Sequence, residues 1–199
     1  MTAMPALRVV PDAPEADLDA ATVAARAFLQ ALGLPLDSPG MAASPRRMAA
    51  AWSEMLAPRP FDMTTFPNDA GYRELVLARD LPVHSICEHH LLPFTGVAHV
   101  AYLPGDRLLG LSKLARLVEM HARRPQVQER LTQEVADWLD AQLAPRGVGV
   151  VVEAHHQCMS LRGVRTPASS TVTAAVHGAL REPGARAELL GLVGAEVRP

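Results

Sequence analysis

Aromatic residues make up only 4% of this 199-residue chain, and lysine is scarcer still: Lys113 is the sole one among 19 basic residues. The other cations are arginines, and the formal net charge is −2. A slightly acidic chain offers no general surface for nucleic acid or anionic membrane, so neither is expected as a partner. No run of about 18 apolar residues occurs, which removes a helical membrane span. Met1-Thr2-Ala3-Met4-Pro5 lacks the basic and apolar segments of a secretory leader, so a cytoplasmic protein is expected. Cysteine is limited to Cys87 and Cys158. A reducing compartment disfavours a disulfide between them and leaves metal binding or inert buried thiols.

Nearly half the residues (49%) are apolar, enough for one domain with a substantial core plus an appendage. Met1 to Pro14, with prolines at 5, 11 and 14, reads as a mobile arm. Leu18, Ala21, Ala25, Phe28, Leu29 and Leu32 recur at helical spacing, predicting a helix over 15–32 that Gly33 and Pro35 end. Ser44-Pro45 reads as an N-cap and first helical residue of a second helix reaching about Leu56. Pro58, Pro60 and Pro67 then break the chain. Residues 1–68 are therefore expected to form an arm and helical appendage, and 69–199 the main domain with a short C-terminal tail.

Beyond residue 68 the period changes. Tyr72 to Asp80, Val83 to Ile86 and Phe94 to Leu103 are strand-like, and Pro104-Gly105-Asp106 is a turn. Ser112 to Arg123 and Gln126 to Leu143 are helical, split by Pro125. Gly147 to His155 reads as a buried strand, Ser170 to Val176 as another, and 183–199 as a short helix with a frayed tail. Strands, two helices, then strands imply an α+β domain with an antiparallel sheet and helices on one face.

Cys87-Glu88-His89-His90 and His155-His156-Gln157-Cys158 carry the chemistry. Two thiolates and an imidazole suit a tetrahedral Zn²⁺ with its fourth position open to water. Cys87 and His90, three apart, converge if the chain turns there, though His89 remains an alternative ligand. If 154–160 is extended, alternation points His156 and Cys158 the same way and His155 away. Imidazoles left over beside an open zinc are suited to proton transfer.

Gly110-Leu111-Ser112-Lys113-Leu114-Ala115-Arg116 reads either as an anion site or as an ordinary solvated basic face. Ser112 is expected to cap a helix whose first N–H groups face an anion, with Lys113 and Arg116 sharing one side. Arg162 and Arg165 add positive charge after the second half-site. Glu129, near the start of the next helix, either complements the helix dipole or accepts hydrogen bonds from a guanine edge.

These strings resemble the GTP cyclohydrolase I family. The resemblance rests on His84-Ser85-Ile86-Cys87-Glu88-His89-His90-Leu91-Leu92-Pro93-Phe94, on the Gly110–Arg116 segment, on Arg123-Arg124-Pro125-Gln126-Val127-Gln128-Glu129-Arg130-Leu131-Thr132, and on Cys158-Met159-Ser160-Leu161-Arg162-Gly163-Val164. It covers about residues 72 to 180, and the Ser44–Arg47 segment is similar more loosely. The resemblance implies zinc held by Cys87, His90 and Cys158, with His89 and His156 as catalytic imidazoles. It implies a hydrolase acting on a cyclic amidine: water attacks C8 of GTP, formate leaves, and 7,8-dihydroneopterin triphosphate forms. His156 would help protonate N7, with His89 assisting proton transfer. Glu129 would read the guanine edge with Gln128 nearby, Ser112 would contact substrate, and Lys113, Arg116 and Arg162 would hold the triphosphate. The fold implied is the tunnelling fold, a four-stranded antiparallel sheet with two helices on one face, preceded by N-terminal helices. The implied assembly is a homodecamer of two pentamers with active sites at subunit interfaces. His155, Thr166-Pro167-Ala168-Ser169-Ser170 and His177 depart from the family's usual pattern.

Overall fold

The computed structural model describes residues 7–9 and 15–194. The expected mobile arm lies mostly outside them, except that Leu7–Val9 forms a strand, β1, paired antiparallel with β2 (Phe61–Met63). Between these strands come α1 (Leu18–Ala31) and α2 (Ser44–Met55). Asp17 is the N-cap of α1, its Oδ1 accepting from the N–H groups of Asp19 and Ala20 at 3.1 and 2.9 Å. Gly33, at φ 76°, follows the C-cap Leu32 and turns the chain out of the helix. Ser44 is not the cap of α2. Ala43 occupies that position, and Pro45 falls one residue deeper, where its missing N–H still costs no helical bond.

The main domain is built on one sheet. Its strands are β4 (Val76–Cys87), β5 (Pro93–Leu103), β7 (Pro125–Gln126), β8 (Gly147–His156) and β9 (Thr171–Gly178). Their order is β7-β4-β5-β8-β9, antiparallel except that β7 runs parallel to the end of β4. A small ladder of β3 (Thr65–Pro67) and β6 (Arg107–Leu109) lies beside it. The two strands expected over 72–86 are one, beginning at Val76. The register slips by one residue between Ala78 and Leu81, where Asp80 adopts φ 55°. That bulge interrupts the alternation from which two strands were read.

Two helices, α3 (Leu111–Ala122) and α4 (Gln128–Leu143), cover one face. Leu114, Leu117, Leu131, Val135 and Leu139 pack there against Val100, Tyr102, Val148, Val150 and Val152. Alternation sends Ala101 and Gly149 to the opposite face, where α6 (Pro183–Gly194) closes over them. Gly149 permits this approach, since a Cβ there would meet Leu189 Cδ2 at 2.4 Å. Helices on both faces are more than the single layer expected, and they explain why β8 is buried from Gly147 through Val152. The mixed α+β class stands. Among the described residues no helix is long and apolar enough to cross a membrane.

Candidate active site

Strand β4 ends at Cys87 in a closed turn. Cys87 N–H donates to Leu92 O at 2.9 Å, Leu91 N–H donates to Cys87 O at 2.8 Å, and Leu91 sits at φ 51°. The turn folds the side chains back, bringing His90 Nδ1 to 3.8 Å and His89 Nδ1 to 4.0 Å from Cys87 Sγ. The other half comes from the end of β8, where residues 157–160 are not extended as expected. They form a single helical turn, α5 (Gln157–Ser160), that puts Cys158 Sγ 3.9 Å from Cys87 Sγ. His156 and Cys158 thus meet the site through a turn, not through strand alternation.

The donor atoms of Cys87, His90 and Cys158 all lie within 4.8 Å of one another. Zinc bonds of about 2.3 Å to sulfur and about 2.1 Å to nitrogen give tetrahedral edges of about 3.8 and 3.6 Å, close to the observed spacings. Both sulfurs are buried and His90 is exposed, so the triangle opens on one side. Burial first, and then the adjacent Cys87 sulfur, push the Cys158 thiol up. A divalent cation is the partner that lets two close, buried sulfurs carry charge together. The residues present therefore fit a zinc ion.

Around this triangle the chain gathers most of the other expected residues. His156 is half-buried, its ring stacked on Phe94 with centroids 4.5 Å apart and planes 14° off parallel. Its Nε2 lies 2.8 Å from Gln128 Oε1. Burial lowers the His156 pKa, and the Glu129 charge partly opposes it, which places Glu129 in the same field. Gln128 is buried, whereas Glu129 is exposed in the first turn of α4. Arg162 is exposed and its charge reaches Cys158. His155 points away, bonded through Nδ1 to Ser169 O at 3.1 Å, and His177 pairs instead with Asp137 on α4 at 2.8 Å.

Three residues escaped the sequence reading. Phe94 is the platform for His156, and Arg130 pairs with Glu88 across the metal turn. Gln126, fully buried, accepts from Glu88 N–H through its carbonyl at 3.0 Å and from Arg130 Nε through its side chain at 2.8 Å. Its Nε2 donates to Glu134 at 2.8 Å. Glu88 thereby anchors the turn to α4. All three lie inside the motif strings, but nothing in their spacing marks them as contacts.

Ser112 and Lys113 lie in the first turn of α3 and Arg116 at its middle. Helix α3 starts with Gly110 as its N-cap, Gly110 N–H bonded to Thr64 O at 3.0 Å, and Ser112 is the second helical residue without a capping bond. That start lies by the β3–β6 ladder, which neighbours Tyr102 through the 3.0 Å bond from Leu109 N–H to the Tyr102 hydroxyl. The helix ends where Pro125 pairs with Ile86. Twelve residues separate the ends, about 18 Å at 1.5 Å per residue. Arg116 is further engaged by Glu119 at 3.7 Å, a carboxylate that Arg59 also grips at 2.6 and 2.8 Å. The hydrogen bond from Arg59 holds the Glu119 carboxyl below its usual range.

Comparison with known proteins agrees with this geometry. Residues 21–194 match the family model described as GTP cyclohydrolase I. GTP cyclohydrolase 1 of Aquifex aeolicus is 50% identical over 171 residues, covering 85% of this chain and 93% of that protein. The Thermobifida fusca enzyme of the same name is 52% identical over 176 residues, with 85% of each chain covered. That of Mycobacterium bovis is 50% identical over 183 residues, covering 89% of this chain and 91% of its own. Identity at this level over nearly the whole length, with a family model that spans residues 21–194, means that this chain belongs to the GTP cyclohydrolase I family.

Proposed function

We propose that this chain carries out zinc-dependent hydrolysis of GTP at C8, with formate release and rearrangement to 7,8-dihydroneopterin triphosphate. The Cys87–His90–Cys158 triangle, open on one side and flanked by two further imidazoles, carries the reading. When bound there, zinc supplies a Lewis acid that makes water a nucleophile near neutral pH. Glu129 accepts hydrogen bonds from guanine N1–H and the 2-amino group, which orients the base and leaves its five-membered ring free for attack. His156, its plane held by Phe94, passes a proton to N7 as that ring opens. His89, exposed beside Cys87, carries protons between the site and solvent. Arg162 meets the phosphates from the loop after α5.

The remaining phosphate ligands, Ser112, Lys113 and Arg116, come from a second copy of the chain in this reading. The placement of Ser112 and Lys113 in the first turn of α3, at the end away from Pro125 and its partner Ile86, supports a shared site. Self-association is also supported by apolar exposure on α1 and its C-cap, where Val23, Phe28 and Leu32 are 70, 54 and 62% exposed. Phe28 also lines a groove of about 1320 Å³ with Trp52, Met120 and Trp138. We take the assembly to be two facing pentamers of tunnelling-fold subunits, with residues 1–68 as an appendage and 69–199 as the catalytic domain. Incubation with GTP, following formate and neopterin fluorescence with and without a chelator, tests the activity. Chelator-sensitive release of both is expected, and zinc-replete protein that releases neither overturns the reading.

A further inference from the structure

We propose that Gln128 is a positioning residue for His156, holding the imidazole with a proton on Nε2 so that proton exchange with the substrate runs through Nδ1 alone. The inference rests on the reading of His156 as a proton carrier in GTP hydrolysis. It assigns Gln128 a role on His156, where the family resemblance places it only near the guanine edge.

The hydrogen bonds around Gln128 determine its orientation. The side chain is buried, at 2% exposure. Its Nε2 lies 3.1 Å from Val152 O, 2.8 Å from Thr171 O and 3.2 Å from Thr173 Oγ1. Backbone carbonyls only accept, so the amide NH₂ must be the group that faces them. The hydroxyls agree. Thr132 Oγ1 donates to Gln128 O at 2.8 Å, so it receives the hydrogen of Thr173 Oγ1 at 2.6 Å. Thr173 Oγ1 is left to accept from Gln128. The atom 2.8 Å from His156 Nε2 is therefore the amide oxygen, and that ring nitrogen must carry hydrogen. Turning the ring over would put a C–H against the oxygen, and stacking on Phe94 at 4.5 Å keeps its plane fixed.

The proton balance follows. Neutral His156 holds one proton on Nε2 and a lone pair on Nδ1. Taking up a proton at Nδ1 gives the imidazolium with its Nε2–H bond to Gln128 unchanged. Delivering that proton breaks Nδ1–H, forms N–H on the substrate nitrogen and restores the same tautomer. Gln128 has both amide hydrogens committed and no exposed edge, so it acts through His156 and not on guanine.

Solid-state NMR of zinc-loaded protein with isotope-labelled histidine, assigned against a His156→Asn variant, reads the tautomer directly and without substrate. Wild-type His156 is expected as the Nε2–H form with unprotonated Nδ1 near neutral pH. Gln128→Met should give mixed tautomers and lower kcat for GTP by about tenfold or more, with KM within about threefold. A wild-type signal from the Nδ1–H form overturns the proposal whether or not the variant folds. So does a Gln128→Met protein that raises KM while kcat is unchanged, the mark of a direct substrate contact. Failure of the wild-type protein to turn over GTP strikes the proposed activity, whereas the tautomer strikes this inference alone.

Discussion

Cys87 Sγ and Cys158 Sγ lie 3.9 Å apart although 71 residues separate them in sequence. The ends of β4 and β8 deliver them from either side of β5, and each is followed by a tight turn that aims the sulfur inward. Replacing Cys158 by serine exchanges a soft thiolate for a hard, weakly acidic hydroxyl. Zinc bound per chain should fall well below one, and formate release from GTP by about 100-fold or more. Elemental analysis beside the activity assay checks this. A Cys158→Ser protein with full zinc and full turnover would remove Cys158 from the ligand set.

His156 lies beside the triangle without belonging to it, its Nε2 turned to Gln128. His156→Ala should leave zinc content near that of the wild type while turnover drops by about 10²- to 10⁴-fold, the range for loss of a proton-transfer group. The pairing of measurements matters, because zinc lost along with activity would place His156 in the metal shell instead.

That Cys87 and Cys158 come together with a histidine was legible in sequence because ligand chemistry restricts residue type, while the choice of His90 over His89 was left open by spacing. The helices over 111–122 and 128–143 and the strand over 147–156 were legible from periodicity. What was not legible depends on the third dimension. The bulge at Asp80 hid one long strand as two. Ser112 looked like a cap, but the bond from Gly110 N–H to Thr64 O starts α3 two residues earlier. The turn at Gln157–Ser160 broke the alternation used to pair His156 with Cys158. The burial of Gln128 follows from its contacts with β8 and β9, which no local pattern records.

The reading in which Lys113, in the first turn of α3, and His156, at the end of β8, serve one site from different chains predicts complementation between defective subunits. Lys113→Ala and His156→Ala homo-oligomers should each be nearly inactive. Co-expressed in equal amounts, they should assemble some sites with an intact Lys113 from one chain and an intact His156 from another. Random mixing gives about one quarter of wild-type turnover for a site shared by two neighbours. Mixed protein purified through two different tags measures it. Activity no greater than that of the parents, in an oligomer shown to contain both chains, would mean that one chain supplies both residues.

His121 makes a separate prediction about stability. Its Nδ1 accepts from Arg124 at 3.1 Å, and its buried Nε2 has no partner among the described residues. Burial, reinforced by Arg124 and opposed by Glu134, pushes its pKa down from 6.5 to about 4. Between those values the unfolded chain binds a proton at this position that the folded chain does not, so folding stability must fall as pH drops through the window. Above the unfolded value both states are neutral and the residue contributes no slope. His121→Phe removes the titrating group and the unpaired nitrogen while keeping a ring in the space. The carboxylates titrate in both proteins, so the difference between them isolates His121. Thermal unfolding at fixed protein concentration should show the variant gaining on the wild type as pH falls from 7 to 5. A wild-type-to-variant difference that stays constant over that range would place His121 in an environment where it takes up its proton normally.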